Sequence, residues 1–214
     1  MRYIRCIILA SCMVHEKRVC IVYRKPLNWI DSAIQLIGRC GNYTHCELWF
    51  PDYFLNGKKG YRFTNFMFQT MERTDDAYQE YMESPDMYDV HIVWLPLTAY
   101  MNLFNWCDEL VSRKCRYNYS AVARLILPQC MQAVDDPELD MNHLNLFCSQ
   151  AIVLSFLKNI PTDHPISGLM RKLPACATKP QDVANVLEPL YGPPLGIYNV
   201  APDRVQLPPK VASR

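Results

Sequence analysis

The sequence predicts an α+β domain in which an antiparallel sheet packs against one central helix. Three observations carry that reading. Runs rich in Val, Ile, Tyr and Phe recur at 18–23, 44–50, 61–70 and 90–95, most of them bounded by Gly, Pro or charged residues, as strands are. After Thr98, the residues Tyr100, Leu103, Phe104, Cys107, Leu110 and Val111 form one apolar stripe at helical spacing. The stretch Leu144 to Leu157 becomes apolar almost all round from Ala151 onward, which suits a helix buried at the centre of a domain.

From the N-terminus, Cys6 to Val14 is short and apolar and is followed at once by His15-Glu16-Lys17-Arg18, so it reads as a buried strand in preference to a signal peptide. It would form a hairpin with Arg18 to Tyr23. Asn28 caps a helix carrying Ile30, Ala33, Ile34 and Ile37 on one face, ended by Gly38 and Gly41. In the Thr44–Phe50 strand, a period of two puts His45, Glu47 and Trp49 on one face and Thr44, Cys46, Leu48 and Phe50 on the other, with Pro51-Asp52 expected to close it. A turn at 56–60 leads into the 61–70 strand, and the polar 72–86 stretch reads as loop or irregular helix. Val90 to Leu95 is a strand buried on both faces. Tyr117-Asn118-Tyr119 opens an apolar segment that Pro128 breaks, and a solvated loop at 135–138 delivers the chain to the central helix. That helix takes Asn145 as its N-cap and stops before Pro161. Thr178-Lys179-Pro180-Gln181 reads as a capping box opening a short helix through Leu187. The expected division is a domain over 1–190 and a Pro-rich tail over 191–214, extended over the domain or free.

The 214 residues are half hydrophobic and 20% charged, a globular composition with enough chain for a sizeable core. A net charge of +1 gives no electrostatic reason to expect nucleic acid as a partner. No apolar run approaches the roughly 18 residues that span a bilayer. The ten cysteines contain no CxxC pair and no repeating framework, so free thiols in a reducing compartment such as the cytoplasm are expected. His143 and Cys148 lack a second pair to complete a zinc site, so neither a metal nor a cofactor is expected.

Cys148 falls in the first turn of its helix, where unsatisfied amides and the positive end of the helix dipole favour thiolate over thiol. The partner able to take its proton is His45, 103 positions upstream on a strand. Cys46, on the opposite strand face from His45, and Cys107, in an amphipathic stripe, lack that pairing. His91, inside an apolar strand, reads as a satisfied core histidine. Glu47 shares the face of His45 but stands roughly 7 Å along the strand, which is long for a hydrogen bond to the ring. Of the aromatics, Tyr61, Phe63, Phe66 and Phe68 read first as sheet core, and together with Trp49 as the alternative lining of an acyl-chain groove.

The order of these motifs is informative: Thr-His-x-Glu-Leu on a strand, Tyr-Asn-Tyr, Phe-Cys-Ser-Gln on the helix, then Lys-Pro-Gln-Asp-Val-Ala. With histidine before cysteine, this order resembles the circularly permuted NlpC/P60-like branch of the papain fold, which includes YiiX-like, poxvirus and lecithin:retinol acyltransferase-related proteins. The resemblance covers roughly 18–190. It implies Cys148 as nucleophile and His45 as general base, and a third polar residue on the same or the next strand: Glu47, or Thr64, Asn65 or Gln69. Gln150 stands where many relatives carry Glu, which leaves its role open. The oxyanion donors would be the Cys148 amide and an unidentified side chain.

Three function classes follow: a thiol hydrolase or acyltransferase on acyl-ester or acyl-amide substrates, with peripheral lipid contact compatible; a cysteine peptidase or amidase; and an idle papain-fold binding module. The first two require one thiol to stand apart. Iodoacetamide at near-neutral pH is expected to label Cys148 ahead of the other nine cysteines, read by peptide mass mapping. Uniform labelling, or labelling led by Cys46, would favour the idle module.

Overall fold

The computed structural model describes residues 16–38, 41–55, 58–65, 71–75, 77–118, 145–175 and 178–200. The expected strand at Cys6–Val14, the apolar segment before Pro128, the 135–138 loop, Phe66 to Gln69, His143 and the tail beyond Val200 lie outside the described residues, as do the side chains of Ile30, Ala33, Ile34 and Ile37.

Strand β1 (Glu16–Arg24) lies inside the sheet, and its sequence says why. Val19, Ile21 and Tyr23 supply one core, Cys20 and Val22 another, so both faces are buried. Helix α1 (Trp29–Gly38) follows, capped as expected, with the Asp31 amide donating to Asn28 Oδ1 at 2.9 Å. The chain continues through β2 (His45–Leu55), β3 (Lys58–Thr64), β4 (Glu72–Thr74), α2 (Ala77–Glu83), β5 (Tyr88–Pro96) and α3 (Leu97–Ser112). Short β6 (Arg116–Tyr117) and β7 (Asn145–Leu146) pair in parallel. Then come α4 (Cys148–Asn159), α5 (Pro165–Met170), α6 (Pro180–Tyr191) and β8 (Leu195–Gly196). Among the described residues, six strands form one sheet in the order β4-β3-β2-β1-β5-β8, each pair antiparallel.

Helices α3 and α4 cover one face of this sheet. The α3 stripe is buried as the spacing predicts, from Tyr100 to Leu110. Its Phe104 ring lies face to face on Tyr53 at 3.6 Å and meets Phe50, Phe63 and Tyr61 edge-on at 5.3, 5.1 and 5.9 Å, the edge-to-face geometry that aromatic quadrupoles prefer. On the other face, Tyr81 of α2 and Ile197 bury Cys20, Val22, Trp49 and Val90.

Several boundaries differ from the sequence reading. Strand β2 does not close at Pro51; it runs on to Leu55, with a register shift between Phe50 and Phe54. A proline costs no ladder hydrogen bond at such an irregularity. Asp52 is held there by Arg18, whose Nε and Nη2 donate to it at 2.8 and 2.5 Å. Asn145 is not the N-cap of the central helix. The Leu146 carbonyl accepts from the Asn118 amide at 3.1 Å and from Asn65 Nδ2 at 2.5 Å, which keeps the chain extended to Phe147, the actual N-cap. The 72–86 stretch holds β4, α2 and a 3₁₀ turn at Pro85–Met87. Helix α6 continues past Leu187 to Tyr191. Beyond it the chain lies over the domain as far as Val200: β8 pairs with β5, a 3₁₀ turn follows at Ile197–Asn199, and Ile197 and Val200 are buried.

The aromatic layer gives the first structural prediction. Phe104→Ala is expected to lower the unfolding free energy by about 3–5 kcal/mol in urea titration, with the slope m unchanged. A loss below about 1 kcal/mol would show that this layer is not tightly packed.

Candidate active site

His45 is the first residue of β2 and Cys148 the first of α4, so the site forms where a strand end meets a helix start. One segment grips both. Ser149 Oγ donates to the Thr178 carbonyl at 2.6 Å, fixing the first turn of α4. Gln181 Oε1 accepts from the Asn42 amide at 2.8 Å, fixing the turn that feeds β2. Gly41 in that turn has φ +71°, and a Cβ there would come within 2.5 Å of the Gln181 side chain, so only glycine fits. The expected capping box is shifted by one residue: Lys179 is the N-cap, its amide donating to Asp182 Oδ2 at 2.8 Å, while the Thr178 hydroxyl donates to the Pro174 carbonyl.

The His45 ring is in hydrogen-bonding contact with the Cys148 sulfur. Its Nε2 lies 2.9 Å from Thr64 Oγ1 and 3.6 Å from Glu47 Oε2. Thr64 therefore makes the hydrogen bond and Glu47 an ion-pair contact. The roughly 7 Å between alternate residues is a backbone spacing, and the imidazole is long enough to close it. Asn65 donates to Leu146 instead of the ring, and Gln69 lies outside the described residues. Glu47 is buried and compensated: the Tyr81 hydroxyl donates to Oε1 at 2.7 Å and Arg62 Nη1 stands 3.8 Å from the same oxygen. Arg62 in turn donates to Glu80 at 2.8 Å and lies over the Tyr81 ring.

These contacts set the charges. The Cys148 thiol is held well below its ordinary range, first by a hydrogen bond from the Cys46 thiol and then, against the opposing effect of burial, by His45 and the Cys46 amide. Burial pulls the His45 imidazolium down, but Cys148 and Glu47 together outweigh it and raise its pKa to about 9. Burial likewise opposes the Glu47 carboxylate, and His45, Arg62 and Tyr81 outweigh it, so its pKa is lowered. A thiolate beside an imidazolium backed by a carboxylate is the resulting state.

Sequence reasoning separated Cys46 from this group because strand alternation turns it away from His45. The structure brings it back, because its face, with Leu48 and Phe50, is the one that α4 covers. The signal was present in the alternation once the covering helix was known. A cavity of about 10 Å³, room for about one water, lies between Cys46, Leu48, Phe63, Asn65, Met71 and Cys148. Asn65 Oδ1 and Gln150 Oε1 are buried with no partner among the described residues.

Trp49 and Phe63 do not line one groove. Trp49 packs on Tyr78 and Tyr81 on one sheet face, and Phe63 belongs to the core on the other. His91 is a satisfied core histidine: Nε2 donates to the Gly192 carbonyl at 2.9 Å, and Nδ1 accepts from the Tyr23 hydroxyl at 3.0 Å. Among the described residues, no group of three or more His, Cys, Asp or Glu is placed to hold a metal ion, and no helix is long and apolar enough to cross a membrane. No family model, curated protein or solved structure matches this chain.

The charges predict a pH profile. The thiolate exists above the lowered pKa of Cys148, and the imidazolium persists until pH passes about 9. Alkylation of Cys148 by iodoacetamide is therefore expected to be flat from neutral pH to about 9. In His45→Ala the thiol loses its cation, so the rate should fall at neutral pH and climb with pH, measured by quenched labelling and mass spectrometry. Because its folded pKa is raised, His45 stabilises the fold at low pH and loses that contribution as pH rises through about 9.

Proposed function

We propose that this protein is a cysteine-dependent hydrolase or acyltransferase that works through a thioester acyl-enzyme, the reaction implied by the resemblance to permuted NlpC/P60-like proteins. One observation carries the reading: a buried imidazole at a strand end touches a thiol in the first turn of a helix, with Thr64 and Glu47 on its Nε2. Nε2 faces those two residues, which leaves Nδ1 to exchange the proton with the thiol. The Cys148 thiolate attacks the substrate carbonyl, and the C–S bond forms as the carbonyl oxygen takes the negative charge. The Cys148 amide is at the first helical position and has no acceptor within the helix, so it can donate to that oxyanion. The imidazolium then protonates the departing alcohol, amine or thiol. Water or a second nucleophile gives its proton to His45 and attacks the thioester, releasing acid or transferred product and restoring the pair. Thr64 and Glu47 orient the ring and stabilise its charge.

The water-sized cavity beside Cys148 is walled by Leu48, Phe63, Met71 and Ile152, so the atoms flanking the scissile carbonyl would meet an apolar wall while the larger groups of the substrate lie outside it. A second reading, a peptidase or amidase of the same mechanism, is favoured by Asn65. Its buried Oδ1, without a partner among the described residues, is an acceptor suited to an amide N–H.

Medium-chain acyl thioesters and fluorogenic peptides, offered side by side with Cys148→Ala as control, separate the two. Thioester turnover with an acylated Cys148 peptide by mass is the expected result. Cleavage of peptides alone selects the second reading, and cleavage of neither returns the protein to a binding role. Glu47→Gln is expected to lower kcat about tenfold or more with KM little changed. A rise in KM at constant kcat would assign Glu47 to substrate binding instead.

A further inference from the structure

Cys46 belongs to the site, yet the acyl-transfer reaction neither bonds to it nor takes its proton. It sits under the first turn of α4 and lines, with Cys148, the same water-sized cavity. Its thiol hydrogen-bonds the Cys148 sulfur. Both are free thiols, 1% and 6% exposed. The other described cysteines are placed differently: Cys20 is on the far face of the sheet, Cys107 is inside α3, and the Cys115 thiol donates to the Arg116 carbonyl. A nucleophilic sulfur with a second thiol as its neighbour is the arrangement in which a resolving cysteine works.

We propose that Cys46 and Cys148 form a peroxide-responsive pair, in which oxidation of Cys148 is resolved by Cys46 as an intramolecular disulfide that silences the nucleophile and protects it. The proposal takes from the preceding reading only the reactivity of Cys148. The oxidant is hydrogen peroxide or a small alkyl hydroperoxide, and hydrogen peroxide is little larger than the water the cavity admits. The Cys148 thiolate attacks one peroxide oxygen: an S–O bond forms, the O–O bond breaks, and the leaving hydroxide takes a proton from the His45 imidazolium to become water. Cys148 is now a sulfenic acid, oxidised by two electrons, and the peroxide is reduced. The Cys46 sulfur then attacks the Cys148 sulfur. The S–S bond forms, the S–O bond breaks, and the hydroxyl leaves with the Cys46 proton as a second water. For this the sulfurs close from hydrogen-bonded contact to about 2.05 Å.

The test uses the full chain, reduced and then exposed to a few equivalents of hydrogen peroxide. Non-reducing peptide mapping is expected to yield the Cys46 and Cys148 peptides joined, lighter than their sum by two hydrogens, and dithiothreitol should restore iodoacetamide labelling of Cys148. In Cys46→Ser, and in Cys46→Ala as a variant without a hydroxyl, the joined peptide is absent. Cys148 there should proceed to sulfinic acid, and dithiothreitol should no longer restore labelling. Wild type and both variants giving the same sulfinic product, with no joined peptide in any, would overturn the pair. The iodoacetamide rate of the reduced protein separates the two proposals. A fast Cys148 without the joined peptide sinks the pair alone, and a Cys148 no faster than the other cysteines sinks the acyl-enzyme reading as well.

Discussion

The arrangement around the first turn of α4 answers one constraint: a thiolate and an imidazolium must stay charged where water is nearly absent. Removing an ion from water costs several kcal/mol, and attraction within a pair offsets that only if the remaining valences are also satisfied. Here the charges alternate in sign along a row, Cys148, His45, Glu47, Arg62 and Glu80. Each interior member stands between two of opposite sign. The row begins at a thiol 6% exposed and ends at Glu80, whose side chain is half exposed, so the last charge is solvated by water. The Tyr81 hydroxyl adds a hydrogen bond to the Glu47 oxygen that does not face His45.

The row passes from one face of the sheet to the other. Cys148 belongs to the α4 side, whereas Tyr81 and Glu80 lie on α2, across the sheet. The polar 72–86 stretch, read from the sequence as loop or irregular helix, supplies the far end of the row through α2. Helix α2 is short, and its stability comes from burying Ala77 and Tyr81 against Trp49, so one small hydrophobic cluster positions both the Glu47 partner and the Arg62 partner. The first turn of α6 does the same work on the near side by holding the lead-ins to His45 and Cys148 together.

The parts of this fold legible in the sequence were those in which one periodicity decides the outcome. The alternation from His45 to Phe50 and the stripe from Tyr100 to Leu110 needed only the knowledge that apolar side chains turn inward. What stayed hidden depended on partners distant in sequence. Asn145 has the side chain of an N-cap, but the Leu146 carbonyl is claimed by Asn65 and Asn118, and that competition moved the helix start to Cys148. Pro51 is a strand breaker by composition, and Arg18 clasping Asp52 keeps the strand going past it. Cys46 was set apart by a correct alternation, because a strand end exposes residues of both faces to one neighbour.

For the proposed acyl-transfer reaction, specificity has to come from beyond the cavity beside Cys148. The described residues leave about one water's volume beside Cys148, too little for an acyl chain or a peptide side chain. That small void is bounded on the sheet side by Leu48 and Phe63, which are fixed in a close-packed core and cannot retreat without costing packing energy. The wall under the sulfur is therefore rigid, and it holds the Cys148 sulfur and the Asn65 side chain in register. The remainder of a substrate must approach from outside the sheet. On the proposed reaction, selection of acyl group or peptide then belongs to surfaces beyond this wall, which is why the Cys148–His45 pair is compatible with either substrate class.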